Sequence, residues 1–472
     1  MKKHQIFKSL AVLGCLLLAF TATALAQNLG TVHVKNATLL TVTNGTMDAT
    51  DMVVKDGIIT EIGKNLSTPK GATVVDATGK FVLPGIIDAH SHLAVTRGIN
   101  EATSPVTAMV SMEDVINPND VGMYRALAGG VTSIHIMHGS ANVIGGQGET
   151  IKLRYGLGQE ELKFKEAKRT IKFALGENPT RVHGIGRGIQ PRTRMAVEQV
   201  VRKTFDAAIE YRAKRDAYVA ASTAKPKKGQ KAPVPVAQDL KLDVISDILA
   251  GEIYVHCHSY RADEIHMLMR VFKDYGVKNY TFQHANEAFK VAPELAANGA
   301  SASVFSDWWA YKFEVYYSTA YNATILMKNG VVTSLNSDDE QLIRMLNHEA
   351  AKTMRYGQLS EEDALKLITL NPAIQLGTDK YVGSLEVGKQ ADFGIWNDHP
   401  LSVYAQCEMT FVDGHKYFDM ANDVVDMRLN IDPSQEYGTS MEHEATRHAD
   451  NCLRDVYYFF GNEEARTNHS HE

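Results

Sequence analysis

From about residue 85 to 375, short apolar runs alternate with longer helical stretches, and few folds accept that pattern. The runs include GVTSIHIMHG, TIKFALGENP, EIYVHCHS, NYTFQHANE, SASVFSD and GVVTSLNSDD. A strand followed by a helix, repeated along the chain, builds a parallel sheet, because each parallel pair needs a long crossover and a helix supplies it. The length of the region suits a (β/α)8 barrel, which takes ~250 residues and tolerates insertions. The expected fold class is α/β.

The flanks have a different texture. Residues 31–83 read as short strands separated by Asn-Gly, Asp-Gly and Thr-Gly turns, and strand texture returns after 375 in VGSLEVGKQADFGIWN and CEMTFVDGHKYFD. Both ends are expected to meet in one small β-domain beside the barrel. TAKPKKGQKAPVPVAQ (223–238) interrupts a helical stretch and reads as a solvated surface loop.

The N-terminus has a basic start (MKK), an apolar run and an Ala24-Leu25-Ala26 cleavage pattern, which read as a secretory signal peptide cut after Ala26. A lipoprotein site at Cys15 is the second choice, because the apolar run continues past it. The run is short for a membrane span of ~20 residues. A periplasmic or secreted protein with no membrane span is expected. The net charge of -6 gives no reason to expect nucleic acid as a partner. Cys257, Cys407 and Cys452 form neither a disulfide framework nor a CxxC zinc site. The expected organisation is signal peptide 1–26, β-domain 27–84 and 376–425, barrel 85–375, and a C-terminal extension 426–472.

Histidines and carboxylates stand where apolar strands meet polar loops. In PGIIDAHSH, His90 and His92 are two apart and project from one face, with Asp88 on the same side. They lie towards the C-terminal end of their strand, where barrel enzymes build their sites. One His-x-His proves little, since the chain has three such pairs (90/92, 256/258, 469/471). Yet His256 lies late in a second strand, His284 ends a third and Asp338 ends a fourth. HEATRH (443–448) is no zinc-protease helix, because its histidines are five apart where four would be needed.

Together VVDATGKFVLPGIIDAHSH, HCHSYRADEI, FQHANEA, NSDDE and ITLNPAIQLGTDKYVGSLEVGKQADFGIWN resemble the amidohydrolase superfamily, most closely its imidazolonepropionase-like and metal-dependent dipeptidase-like branch. The resemblance covers roughly residues 31–420. It implies a distorted (β/α)8 barrel beside a small β-sandwich formed by both chain ends. It implies that His90 and His92 bind one metal, that His256 and His284 bind a second, and that Asp338 ligates and moves protons as catalytic acid and base. His258 and Asp339 match no ligand position. The bridging ligand in such proteins is a carbamylated lysine or a glutamate from the fourth strand, and TIKFALGENP offers Lys172 and Glu177. Five apart, they fall on opposite faces of a regular strand. Glu177, at the strand end before Pro179, is the preferred choice, and Lys172 is the other.

HIMHGSANVIGGQGE (135–149) does not fit a dinucleotide loop. It is expected to lie over the site with His138 and Asn142 touching substrate, or else to serve packing and turns alone. Arg261 and Asp263 could hold a polar substrate group or form a surface ion pair. Imidazoles with carboxylates suit zinc, with manganese or iron as alternatives, in one or two ions. The expected activity is metal-dependent hydrolysis of a C–N amide bond in a small molecule, a dipeptide or cyclic amide. N-acyl deacetylation and a catalytically inactive binding protein of the same fold are the other readings. A homo-oligomer is compatible with all three.

Overall fold

The computed structural model describes residues 30–96, 98–225, 231–309 and 311–422. The expected signal peptide, residues 226–230 of the Lys/Pro-rich stretch, and the C-terminal extension with HEATRH and the terminal HSHE lie outside the described residues.

Among the described residues five strands come first: β1 (Val32–Leu40), β2 (Thr46–Lys55), β3 (Ile58–Gly63), β4 (Thr73–Asp76) and β5 (Phe81–Pro84). Eight form the barrel: β6 (Ile86–Ser91), β7 (Val131–Ile136), β8 (Ile144–Lys152), β9 (Arg169–Ala174), β10 (Ile253–Ser259), β11 (Tyr280–His284), β12 (Ser301–Val304) and β13 (Thr333–Leu335). Three return: β14 (Phe393–Trp396), β15 (Cys407–Val412) and β16 (His415–Asp419).

Both chain ends do build one sheet, in the order β16-β15-β14-β5-β1-β2-β3, with β4 on β1. The join is the antiparallel pair β5–β14, where Val82 faces Ile395 and Leu83 faces Gly394. Its core draws Val34, Met52 and Val82 from the first end and Phe393, Ile395 and Phe411 from the second. Neither end can bury this apolar face alone, so the two must fold together.

The barrel runs β6 to β13 in sequence order. All its neighbours are parallel except β8, which is antiparallel to both β7 and β9. The cause is the short link from β7 to β8, residues 137–143. It allows a reversal of direction, whereas a parallel return needs a dozen residues or more. Thus the glycine-rich part of HIMHGSANVIGGQGE forms a barrel strand, its first two residues end β7, and only 137–143 form a loop. Gly148 is required there: a Cβ would lie 2.7 Å from Thr170 Oγ1 and 2.8 Å from His135 Nε2. Closure is indirect. Ile87 N donates to Ile368 O, Leu335 N to Leu367 O (both 2.9 Å), and Asp338 N to His90 O (3.1 Å).

Helices cover the outside. The longest, Arg194–Thr223, is capped by Thr193 and buries Val197, Val201, Phe205, Ala208 and Tyr211, a stripe at helical spacing. Phe205 and Phe272 pack against Phe173 of β9. With Phe173 facing the helices, its neighbour Lys172 must face the barrel interior.

Candidate metal centre

His90 and His92 leave β6 side by side, with ring centroids 5.3 Å apart. Asp338 lies across from them, its Oδ1 3.5 Å from His90 Nε2 and 3.3 Å from His92 Nε2. One ligand atom from each of these three residues falls within 4.8 Å of the others. The other Asp338 oxygen, Oδ2, is 3.7 Å from His284 Nε2. The carboxylate therefore spans two groups of imidazoles. The His284 ring is 4.6 Å from that of His90 and 4.8 Å from that of His258.

Surrounding groups fix which nitrogen each ring presents. A carbonyl only accepts, so His92 Nδ1 donates to Met137 O (3.0 Å) and Nε2 is left to face the centre. His90 Nδ1 is 3.3 Å from Gln283 Oε1, again leaving Nε2 inward. The amide of Gln283 then donates to His256 Nδ1 at 2.9 Å. Burial strongly disfavours the imidazolium form of His90, and it lowers His284 to about 3. Neutral imidazoles are the form that binds metal. Burial opposes ionisation of Asp338, yet His92 and His284 outweigh it and hold the carboxyl down at about 2.

Asp88, the acid preceding the His-x-His, orients the opposite wall. Its carboxylate accepts from Ser337 Oγ (2.5 Å), Ser337 N (3.1 Å) and His90 N (3.2 Å), tying β6 to the turn that carries Asp338. Burial pushes this carboxyl up to about 7 against those bonds.

Lys172 and Glu177 part company. Lys172 is fully buried, and its Nζ lies 3.0 Å from His90 Nε2. Glu177 stands beyond the strand: β9 ends at Ala174, Gly176 turns at φ 80°, and Glu177 opens the short helix Glu177–Thr180. Its carboxylate meets Lys312 Nζ at 3.1 Å and Arg181 at 3.6 Å. Burial raises its pKa, but those cations prevail and keep it low. Strand parity does not carry from 172 to 177, because β9 stops at Ala174 between them.

His256 and His258 also divide. Both face inward, but His256 pairs in register with Lys172 one step deeper, next to the His135 ring at 4.5 Å. His258 is the one that meets His284. His138 spends its Nδ1 on Gly139 O (2.8 Å), and its Nε2 accepts from Glu101 N (2.8 Å). Asn142 donates to Glu101 O and Thr107 Oγ1 (both 2.6 Å) and accepts from His183 Nε2 (3.0 Å). These contacts organise the loop. Arg261 forms a two-point ion pair with Asp263 at 2.9 and 3.0 Å on the surface. Asp339 caps a following turn through the amides of Gln341 and Leu342. Sequence reasoning did not single out Gln283, Ser337, Tyr260 or Phe305. Only QH, a polar pair inside a strand, hinted at the first, and Ser337 lies just past the end of β13.

Could this set hold a metal? Both ring nitrogens of His284 are buried with no hydrogen-bond partner among the described residues. Buried polar atoms seldom stay so. The donors are imidazole and carboxylate, the set that suits zinc. The residues fit a divalent ion.

A barrel that gathers imidazoles around one carboxylate at its strand ends defines a class of hydrolase. The chain matches the Amidohydrolase family over residues 81–426 and belongs to it. It is 30% identical over 395 residues to amidohydrolase tasK of Hapsidospora irregularis, which covers 78% of this chain but only 40% of that longer protein. It is 25% identical over 393 residues to a 5'-deoxyadenosine deaminase of Methanosarcina acetivorans, covering 76% and 83% of the two chains. The crystal structure of an amidohydrolase from Thermotoga maritima matches with a TM-score of 0.74 and 35% identity, over 82% of this chain and 100% of the other. Among the described residues no helix is long and apolar enough to cross a membrane.

Proposed function

We propose that this protein hydrolyses a C–N amide bond of a small molecule, with a dipeptide or cyclic amide ahead of an N-acyl amino acid. One or two divalent ions, zinc before manganese or iron, would be held by His90 and His92 and by His284 with His258, in place of the expected His256. Lys172 would be the shared ligand, in place of Glu177, once its amine has added CO2 and lost a proton to become a carbamate. When bound, such ions polarise a carbonyl and acidify water.

The residues divide the remaining work. Asp338, ionised in the resting site, takes the proton from the attacking water and delivers it to the leaving nitrogen. Gln283 holds His90 in its tautomer, and Met137 does the same for His92. Asp88 and Ser337 fix the turn from which Asp338 projects. The observation that carries this reading is the Asp338 carboxylate, with one oxygen at 3.3–3.5 Å from His90 and His92 and the other at 3.7 Å from His284. Glu177, engaged by Lys312 and Arg181, gives the deacetylase reading no added support. Export after cleavage at Ala26 remains part of the proposal.

Metal analysis and a screen of dipeptides and N-acyl amino acids test it. The metal-loaded protein is expected to cleave at least one such amide. Asp338→Asn should retain metal and lose activity. A fully active Asp338→Asn protein removes Asp338 from proton transfer, and a metal-free chain inert to every amide refutes the hydrolase.

A further inference from the structure

The stretch FSDWWAYKFEVYYSTAY, residues 305–321, follows β12, and its described residues 305–309 and 311–321 leave the barrel on the side of the candidate centre. It holds two of the protein's three tryptophans in a chain that is only 8% aromatic. Its root is part of the site. The ring of Phe305 stacks on His284 at 5.0 Å, and Trp308 stacks on Phe305 at 4.4 Å. On the other face of the site, Tyr260 stacks on His284 at 5.6 Å, and its hydroxyl is bonded to that of Tyr311 at 3.1 Å. A run of parallel rings thus leads from a candidate metal ligand to the surface.

Beyond the root, the segment is inside out. Lys312 and Glu314 are buried, while their neighbours Tyr311 and Phe313 are exposed. Trp309 is 47% exposed and Tyr316 68%. Folding alone favours the reverse arrangement, with rings inside and charges in water. The charges are held in by specific partners: Lys312 by Glu177 at 3.1 Å and by the Tyr260 ring at 4.1 Å, and Glu314 by Arg194. Trp309 and Tyr316 therefore leave much of their ring surface in water, and Trp309 directly follows Trp308 in the stack that begins at His284. Large exposed apolar groups in such a place mark a binding surface.

We infer that these rings form the substrate-binding wall, and that the amide substrate carries an aromatic side group which packs on Trp308, Trp309 and Tyr316. This rests on the amide-hydrolase reading and narrows its substrate class. Rings pair by offset stacking or edge-to-face contact, an attraction that a methyl side chain cannot match.

Two measurements test it. The first compares kcat/KM of the metal-loaded protein on matched dipeptides, glycyl-phenylalanine against glycyl-alanine and phenylalanyl-glycine against alanyl-glycine. The second compares binding of N-acetyl-phenylalanine and N-acetyl-alanine by tryptophan emission. That signal reports on the segment, because the third tryptophan, Trp396, is buried in the β-domain. In either measurement the aromatic member should be favoured by about tenfold. Trp309→Ala combined with Tyr316→Ala should bring the ratio close to one, chiefly through KM, and Trp309→Phe should keep it. Cleavage or binding with equal preference for both members overturns the inference and spares the hydrolase reading. Preferential binding without cleavage of any amide does the opposite. If the double variant changes only the oligomeric state and leaves the ratio unmoved, the rings cover a second copy of the chain and the inference falls.

Discussion

Replacing Lys152 with methionine tests how the barrel is fastened to the β-domain. Lys152 ends β8 with its side chain wholly buried, its Nζ 2.6 Å from Asp413 and 2.9 Å from Asp392. Asp413 lies in the turn between β15 and β16, and its second oxygen takes Arg154 Nε at 2.7 Å. The group is neutral, two cations against two carboxylates. Methionine fills a similar volume but leaves two buried acids sharing one arginine. Uncompensated buried charge of this kind costs ~3–5 kcal/mol. Burial already raises the Asp392 pKa, with Lys152 opposing it, so the variant's Asp392 should rise further. A carboxyl raised in the folded state withdraws stability as pH climbs from the unfolded value towards the folded one. The deficit of Lys152→Met should thus be larger at pH 8 than at pH 5. Urea unfolding followed at both pH values should show a lower midpoint at an unchanged slope. Adding Asp392→Leu, which removes the stranded charge, should restore much of the loss. A Lys152→Met protein within ~1 kcal/mol of the parent, or with the same deficit at both pH values, would refute the account.

Three further outcomes follow from the site. Lys172→Ala should lower metal content and abolish amide hydrolysis, while Glu177→Ala should keep its metal; elemental analysis showing the reverse pattern would return Glu177 to the centre. Gln283→Leu removes the link between His90 and His256, and chelator competition should reveal metal affinity ~10–100-fold weaker; unchanged affinity makes Gln283 a packing residue only. Gly148→Ala forces a methyl to within 2.8 Å of His135 and Thr170, so thermal unfolding should show a loss of ~1–3 kcal/mol, and a neutral result would mean that β8 can shift.

The sequence was most readable where period and burial agree. The barrel strands announced themselves as apolar runs, and the meeting of the two chain ends in one sheet, made by β5 and β14, could be expected from matching textures at 31–83 and after 375, though not which strands pair. The direction of β8 was not readable. Its glycines suggested a loop, whereas they serve close packing against His135 and His138 in a strand. That demand comes from neighbours remote in sequence, and no local propensity encodes it.

Within the site, alternation told which face a residue takes but not how deep it lies. His256 and His258 share a face, so alternation alone could not choose between them. Depth is set by pairing across strands: His256 sits opposite Lys172 and Thr281, whereas His258 sits opposite Ala174 and Gln283, next to where His284 emerges. His284 also breaks alternation. Gln283 and His284 are consecutive, yet both touch the His90 ring region, which a regular strand forbids. The backbone permits it because His284 has φ 65° and Ala285 φ 38°, left-handed values uncommon outside glycine. Asp338, at φ 46°, does the same on the far side. Two of the residues most central to the centre are therefore held in conformations that local preference disfavours, and the surrounding packing must impose them. Tyr260 and Phe305, flanking the His284 ring, are the contacts that can do so. In the proposed site the stacked rings then have two duties, to hold the strained His284 in place and to begin the proposed aromatic wall.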